Sequence, residues 1–375
     1  MTKTSHLIDL LLPHKERFTA QNAGAVSTVV DNLTSYDTAN TSFRIFGSAV
    51  ETPLNETDFH GLSWRKSLWR SQNSQMAESY LAKLEASDKK PDIIEVHGRA
   101  FIAQKIAKAR PDIPVILYLH NDPRTMKGSK TVQQRRALIH DLAGLISVSH
   151  YIENCFFDDI TPELAEKLPS CVNWLGVNRR LEQMPKRKKQ ILMAGRMVPE
   201  KGFLEAATGL LPILQEHTDW QVILAGGKTF TSTDLSAYEK QLRTILAPLG
   251  DRAVFLGHRP LSEVRTLQEQ SEICIVPSLW EEPGGTAVLE AMAAGSALIT
   301  TKRGGLPEVA EGRALIIENP TVNSFEEAVR ELVSSDEKRH FYQQAVWQDF
   351  PFSAQKMAER ANQFRSQLLS SARSS

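Results

Sequence analysis

Two glutamates in the stretch WEEPGGTAVLEAMAAG are spaced so that both could line one small-molecule site. Glu282 lies in a loop after an apolar strand, and Glu290 follows one turn into an apolar helix. A buried carboxylate without donors is costly, by several kcal/mol. Glu290 therefore needs hydrogen-bond donors, and the two hydroxyls of a ribose would supply them. The alternative is a helix with one solvated glutamate.

The turn between these glutamates could bind phosphate. Gly284 and Gly285 allow the backbone to approach a ligand closely, and Thr286 opens the helix. Free amides of residues 284–287 could hold phosphate oxygens, with Glu282 directed at whatever lies beyond the phosphates.

A second loop, in LMAGRMVPEKGFLEAA (192–207), carries two cations between a strand and a helix. Arg196 and Lys201 would suit a diphosphate placed at that helix N-terminus. A glycine and two cations alone are a weak signal, and a plain loop with surface charges explains them equally well.

Elements that would position these loops alternate along the whole chain. Near-continuous apolar runs separated by helical patterns indicate parallel strands covered on both faces. The polar stretch 179–190 precedes a fresh strand and predicts a boundary. The sequence thus predicts an α/β protein with two doubly wound domains, residues 1–180 and 181–350, followed by a C-terminal helix in 351–375.

With these motifs the chain resembles the retaining GT-B glycosyltransferases of family 4, and bacterial lipopolysaccharide core and surface polysaccharide enzymes within it. The resemblance rests on the Glu282–Glu290 spacing, AGRMVPEKG (194–202), IEVHGR (94–99) and YLHND (118–122). It implies two Rossmann-like domains facing a central cleft. The N-terminal domain would bind the acceptor and the C-terminal domain the nucleotide sugar, with the last helix packing back on the N-terminal domain.

The resemblance also implies a role for each site residue. Glu290 would bind the ribose, Glu282 a hydroxyl of the donor sugar, and His120 would lie beside that sugar at the reaction centre. The remaining donor-binding residues would be Arg196 and Lys201 at the diphosphate, Arg259 at the base, Gly284, Gly285 and Thr286 at the phosphates or sugar, and Gly24 in an N-terminal glycine turn.

Three positions depart from the family pattern. Gly284 stands where the family often has phenylalanine, and Ala23 replaces the first glycine of the N-terminal turn. Glu281 adds a carboxylate that could share the role of Glu282.

The implied reaction is transfer of a hexose or N-acetylhexosamine to an acceptor hydroxyl with retention of anomeric configuration. The transition state would be oxocarbenium-like. Cations and a helix N-terminus would stabilise the leaving diphosphate, so neither a metal nor a cofactor is expected. A UDP-sugar is the favoured donor and a lipopolysaccharide core or other surface glycan the acceptor. A GDP-mannose-dependent mannosyltransferase and a non-catalytic sugar-nucleotide-binding protein are the alternatives.

Composition narrows the class of protein. The 375 residues carry 44 basic and 44 acidic side chains, so bulk nucleic-acid binding is not expected. Three widely spaced cysteines fit neither a zinc site nor a disulfide framework. We expect a cytoplasmic location. A lipid-linked acceptor would call for contact with the inner membrane, for which 63–70 and 102–110 are candidates. A solvated amphipathic helix is the simpler interpretation of the second segment.

Rival enzyme classes lack their own motifs. A Rossmann oxidoreductase would require the pattern G-x-G-x-x-G after a strand. The glycine-containing segment LAGGKTF (224–230) follows a strand-like run but lacks that spacing. An epimerase or hydrolase on the same two-domain fold is a minor alternative.

Overall fold

The computed structural model of the chain describes residues 6–19, 24–37, 39, 41–54, 58–64, 71–228 and 235–374. It divides into two compact units. The first comprises Met1–Gly176 together with Ala354–Ser375, and the second comprises Val177–Ser353. These boundaries differ by a few residues from the predicted positions 180 and 350.

The described part of the first unit contains a seven-stranded parallel sheet in the order β3-β2-β1-β4-β5-β6-β7. Its strands are β1 Leu7–Leu11, β2 Ser42–Ser48, β3 Asp58–Leu62, β4 Ile93–His97, β5 Val115–Leu119, β6 Gly144–Ser147 and β7 Ser170–Val172. Its helices up to residue 176 are α1 Ala25–Ser35, α2 Gln72–Glu85, α3 Ala100–Ala109, α4 Val132–Asp141, α5 His150–Phe157 and α6 Pro162–Ala165.

The second unit is built around a parallel sheet in the order β10-β9-β8-β11-β12-β13, six strands among the residues described. The strands are β8 Lys188–Ala194, β9 Gln221–Ala225, β10 Ala253–Gly257, β11 Ser271–Val276, β12 Ala297–Thr301 and β13 Leu315–Ile317. The helices are α7 Phe203–Glu216, α8 Ala237–Leu246, α9 Leu261–Gln270, α10 Thr286–Ala293, α11 Leu306–Ala310, α12 Val322–Ser334 and α13 Asp336–Gln348.

The last helix, α14 Ala354–Ser374, belongs to the first unit. Its apolar residues Met357, Ala361, Phe364 and Leu368 are buried in the same core as the strands of that unit. Arg360 donates hydrogen bonds to Asn173 Oδ1 and to the carbonyl of Trp174, at 3.1 and 2.9 Å.

The fold class is as predicted: two parallel-sheet, Rossmann-like α/β units. Every apolar run interpreted as a strand forms one. The central strands β4, β5 and β12 have all their residues buried, as expected for parallel strands covered on both faces, whereas the edge strands β10 and β13 are mostly half-buried. The sequence reasoning missed β2, β3 and β7. β2 and β3 contain a glycine and polar residues, and β7 has three residues, so none presents a long apolar run.

None of the described helices is long and apolar enough to span a bilayer. The three cysteines are unpaired, with Cys155 and Cys274 buried.

Candidate functional site

The loop after β8 is held against the end of β11 by a close backbone contact. After Gly195 and Arg196 it forms a 3₁₀ turn, Pro199–Lys201, and then Gly202 in the left-handed region at φ +67°. A Cβ on Gly202 would stand 2.0 Å from the Pro277 carbonyl oxygen, so a side chain there cannot be accommodated without movement. The Leu279 amide also donates to the Glu200 carbonyl, at 3.0 Å.

Arg196 and Lys201 occupy different electrostatic settings on this loop. Arg196 is exposed and forms no ion pair or side-chain hydrogen bond within the described ranges, so its charge is available to an anion. The Lys201 ammonium forms an ion pair with Glu282 Oε1 and lies 5.6 Å from the centre of the Trp280 ring.

Glu282 is therefore positioned by groups on two loops. Its Oε1 accepts hydrogen bonds from Lys201 and from the Ser278 hydroxyl, and its side chain is 13% exposed. No hydrogen bond from the described residues reaches Oε2. The contact brings together two residues that were predicted to bind the donor.

Glu281 has a different contact from Glu282. Its Oε2 accepts a hydrogen bond from the Gly304 amide, and its Oε1 lies 4.0 Å from Arg303 Nε. The Gly305 amide donates to the Glu282 carbonyl at 2.7 Å. Glu281 thus ties the loop before α11 to the loop before α10, whereas Glu282 faces Lys201.

The helix α10 begins beside these two loops. Gly284 is buried, Gly285 is the residue before the helix, and Thr286 at its first position is exposed. No side chain caps this helix. The first amides of a helix have no partner within it, and the helix dipole places partial positive charge there. This end of α10 can therefore accept an anion.

Glu290 has a largely buried carboxylate, and nearby positive charge offsets the cost of ionising it only in part. Burial raises its pKa to about 7, and the charge of Arg265 offsets this only in part. Its carboxylate accepts no hydrogen bond from the described residues. It lines a narrow cavity with Asn178, Arg265 and Gln268, where Arg265 Nε and Gln268 Oε1 are also buried without a partner in the described structure. The site has more hydrogen-bonding capacity than the protein alone satisfies.

Arg259 lies on the loop between β10 and α9. Its side chain is 40% exposed and its Nε is 3.6 Å from Glu263 Oε2, on the first turn of α9. The Gly226 amide donates to the Gly257 carbonyl at 2.7 Å and so joins the ends of β9 and β10 next to this loop.

In the first unit, His120 follows β5 and contacts a second histidine. His120 Nε2 lies 2.9 Å from Nδ1 of His97, the last residue of β4. The Tyr118 ring stacks on both imidazoles, with centroid distances of 4.8 Å to His97 and 4.7 Å to His120. Burial above all, together with the charge of Arg99, holds the pKa of His120 well below its usual range, so His120 is neutral near pH 7.

Gly24 precedes α1, but an internal carboxylate already contacts this turn. Glu16 Oε2 accepts hydrogen bonds from the Ser27 hydroxyl at 3.1 Å and from the Ser27 amide at 3.4 Å. The sequence analysis missed Glu16, because nothing in its local pattern shows that it folds back on α1. Ala23 lies outside the described residues.

The candidate membrane segments have different outcomes. In 63–70, residues 65–70 lie outside the described residues. Segment 102–110 lies mostly in α3, where Ile102 and Ile106 are buried in the core. The apolar face of this helix therefore packs in the core, and Lys105 pairs with Glu78 at 2.6 Å. This fits the simpler interpretation of an amphipathic helix, and membrane contact by the segment stays a prediction.

Within the described ranges, no group of three or more histidine, cysteine, aspartate or glutamate side chains could hold a metal ion.

The fold resembles solved glycosyltransferase structures. One is the Anabaena protein Alr3699/HepE in complex with UDP. It superposes with a TM-score of 0.72 at 15% identity, over 96% of this chain and 100% of that one. A likeness at this identity defines the fold class, which is GT-B.

Sequence comparison identifies the family. The sequence model for "Glycosyl transferases group 1" matches residues 177–346. The spore coat protein SA of Bacillus subtilis is 30% identical over 66% of this chain and 70% of its own length. The putative glycosyltransferase YtcC of the same organism is 29% identical over 77% of this chain and 73% of its own length. The chain belongs to the group 1 glycosyltransferases and is a glycosyltransferase.

A more distant relative is the lipopolysaccharide 1,2-N-acetylglucosaminetransferase of Salmonella typhimurium. It is 21% identical over 58% of this chain and 56% of its own length.

Substituting Gly202 tests the packing of the β8–α7 loop. We expect Gly202→Ala to lower the free energy of unfolding by about 1–3 kcal/mol, because alanine would be both strained and in collision with Pro277. Gly257→Ala is the matched control, since Gly257 has the same φ of +67° but open space around its Cβ. Equal losses in urea unfolding of the two variants would contradict the packing argument.

The pKa of Glu290 predicts a pH-dependent stability. Because its folded pKa, about 7, lies above the usual 4.5, the folded state binds the proton more tightly. Ionised Glu290 then destabilises the fold progressively from about pH 4.5 to 7, and fully above that range. Glu290→Gln should stabilise the protein at pH 8, by on the order of 2 kcal/mol, and leave stability nearly unchanged at pH 4.5.

Urea unfolding at both pH values measures this difference. Glu311→Gln, at an exposed carboxylate, serves as the control and should show no such pH dependence. A Glu290→Gln effect that is the same at both pH values would show that the carboxylate charge is not destabilising.

Proposed function

We propose that this glycosyltransferase moves a hexose or N-acetylhexosamine from a nucleoside-diphosphate sugar to a hydroxyl of a surface glycan, with retention of configuration. The observation that supports this proposal most directly is a group of residues in the second unit. Two adjacent strand-to-helix loops and the helix that follows supply the relevant groups. These are the Lys201–Glu282 pair, the exposed Arg196, the uncapped start of α10 and Glu290, whose carboxylate lacks a hydrogen-bond donor among the described residues. They combine cations and amides for a diphosphate with carboxylates for hydroxyl groups.

The diphosphate end would be held by positive charge. Arg196, Lys201 and the amides at Gly285 and Thr286 would neutralise charge that grows on the leaving diphosphate as the glycosidic bond breaks. Such fixed donors perform the task for which other enzymes use a divalent metal, so we propose that none is needed. Lys201 would then contact both a phosphate oxygen and Glu282.

The hydroxyl-bearing parts of the donor would be held by carboxylates. Glu290 has no hydrogen-bond donor among the described groups, and two ribose hydroxyls would satisfy it. Glu282 has one oxygen fixed by Lys201 and Ser278, which leaves Oε2 to accept from a sugar hydroxyl. His120 is proposed to hydrogen-bond the transferred sugar, and Arg259 to lie at the base. We assign no protein nucleophile.

The donor and acceptor classes are proposals of finer detail. A UDP-sugar is favoured because the structurally similar Anabaena protein was solved with UDP. A lipopolysaccharide core acceptor is supported by the Salmonella relative, whose name gives that substrate. A panel of UDP, GDP and ADP sugars with product analysis separates the alternatives, including GDP-mannose.

Calorimetric titration with UDP tests the donor site. Ribose binding to ionised Glu290 would lower its pKa, so binding of a UDP-hexose near pH 6.5 should release protons. The UDP-hexose is used for this measurement because its diphosphate, unlike the terminal phosphate of UDP, has no group that titrates near pH 6. Lys201→Ala should weaken UDP binding about 10- to 100-fold, as expected for the loss of a charge-assisted contact. Lys189→Ala is the matched control, because Lys189 is a surface lysine paired with Asp219 at the opposite end of β8.

Proton release is measured by repeating the titration in buffers of different ionisation enthalpy. It should vanish in Glu290→Gln. Undiminished UDP affinity in Lys201→Ala, or proton release that persists in Glu290→Gln, would contradict the site assignment.

A further inference from the structure

A chain of buried polar groups runs from α14 to His120 in the first unit. Arg365 is 2% exposed, and Glu95 is fully buried. Arg365 donates two hydrogen bonds to this carboxylate, from Nε to Oε2 at 3.0 Å and from Nη2 to Oε1 at 2.9 Å. Glu95 stands in the middle of β4, where every other residue except the terminal His97 is apolar. A buried ion pair is seldom a net source of stability, so its presence calls for another explanation.

Glu95 also contacts His97, two residues along the same strand face. His97 Nε2 lies 3.1 Å from Glu95 Oε1, off the axis of a good hydrogen bond but within ion-pair distance. Burial alone would raise the pKa of Glu95, but Arg365 and His97 outweigh it and the pKa is lowered. The carboxylate is therefore ionised and can only accept, which favours a proton on His97 Nε2.

The proton on His97 fixes the proton on His120. The charge of Glu95 is already paired with Arg365, so a second proton on the fully buried His97 ring would be a buried charge without a partner of its own. With a proton on Nε2 alone, His97 presents an unprotonated Nδ1 to His120 Nε2, 2.9 Å away. One proton is shared between these two nitrogens, so it must belong to His120 Nε2. His120 is neutral, so its Nδ1 is unprotonated, and no described group hydrogen-bonds to it. His120 is only partly buried as a residue.

We propose that Glu95 and Arg365 are positioning residues that act through His97 to hold His120 as the Nε2–H tautomer, with Nδ1 left to accept a hydrogen bond from a substrate hydroxyl. The catalytic part of this inference rests on the proposed function. The tautomer itself does not.

A second buried carboxylate in the same sheet, Asp9, offers a comparison. Asp9 in β1 accepts from Arg44 at 2.6 and 2.8 Å and from the Tyr80 hydroxyl at 2.7 Å. Tyr80 is fully buried and Arg44 is partly exposed, and no histidine takes part in these three hydrogen bonds. The chain from Arg365 instead ends at His120, a residue that is only partly buried.

Long-range ¹H–¹⁵N NMR of the full chain labelled with ¹⁵N-histidine reports the tautomers directly. We expect His120 Nδ1 to resonate as an unprotonated imidazole nitrogen and Nε2 as a protonated one, with His120→Asn used for assignment. A His120 ring protonated at Nδ1, with a doubly protonated His97, would overturn the proposal.

Glu95→Gln tests the relay, because it removes the charge that fixes the proton on His97 Nε2. We expect the Nδ1–H form of His120 to become populated. The kcat for sugar transfer should fall about 10- to 100-fold, as for one reversed hydrogen bond, with UDP affinity retained. Asp9→Asn is the matched control: it should lower thermal stability without changing the His120 tautomer or kcat.

An unchanged tautomer in folded Glu95→Gln would overturn the relay. If wild-type protein shows the predicted tautomer but transfers no sugar from any donor, the proposed function fails while the relay stands. Should Glu95→Gln not fold, Arg365→Lys keeps the charge beside Glu95 and must retain the Nε2–H form of His120; a reversed tautomer in that variant contradicts the proposal.

Discussion

The contact between Lys201 and Glu282 is the interaction on which the site in the second unit depends. It joins two loops that are 81 positions apart in sequence, each following a central strand of the same parallel sheet. Because the carboxyl ends of neighbouring parallel strands lie at one edge, the fold itself brings the two loops together. The ion pair then orients the carboxylate, and the bond from Gly304 to Glu281 fixes the backbone beside it. A diphosphate and a sugar could use these groups with little rearrangement.

Glu95, which is fully buried, and Glu290, which is partly buried, differ in the partners that the fold gives them. Glu95 accepts two hydrogen bonds from the Arg365 guanidinium and lies beside the His97 imidazole, and its pKa is lowered. Glu290 has only the distant help of Arg265, and its pKa is raised. The charge of Glu95 is balanced by Arg365 inside the protein, so Glu95 can act as a fixed charge. Glu290 leaves hydrogen-bonding capacity for something else, which is why the ribose assignment has a physical basis beyond the spacing of the motif.

Much of this could be predicted from the sequence, because the relevant signals are local. The apolar runs of β8, β11 and β12 and the glycine turns are continuous segments, so their positions in the fold follow from topology. The contacts of Lys201 with Glu282, of Glu281 with Gly304, of Glu16 with α1 and of Arg365 with Glu95 were not predictable. Each joins residues that are distant in sequence or depends on side-chain direction. The same limit applies to 102–110, where side-chain direction places Ile102 and Ile106 in the core.

The central claim is that Lys201 binds the diphosphate and Glu282 binds the sugar. The affinities of the Glu282→Gln variant for UDP and for a UDP-hexose test it most directly. Both can be measured by calorimetry under the same conditions. The account predicts that UDP binds as well as, or better than, it binds the wild type, because a carboxylate near the phosphates is removed. The additional affinity contributed by the hexose should be lost. Equal weakening of UDP and UDP-hexose binding would contradict the assignment of Glu282 to the sugar.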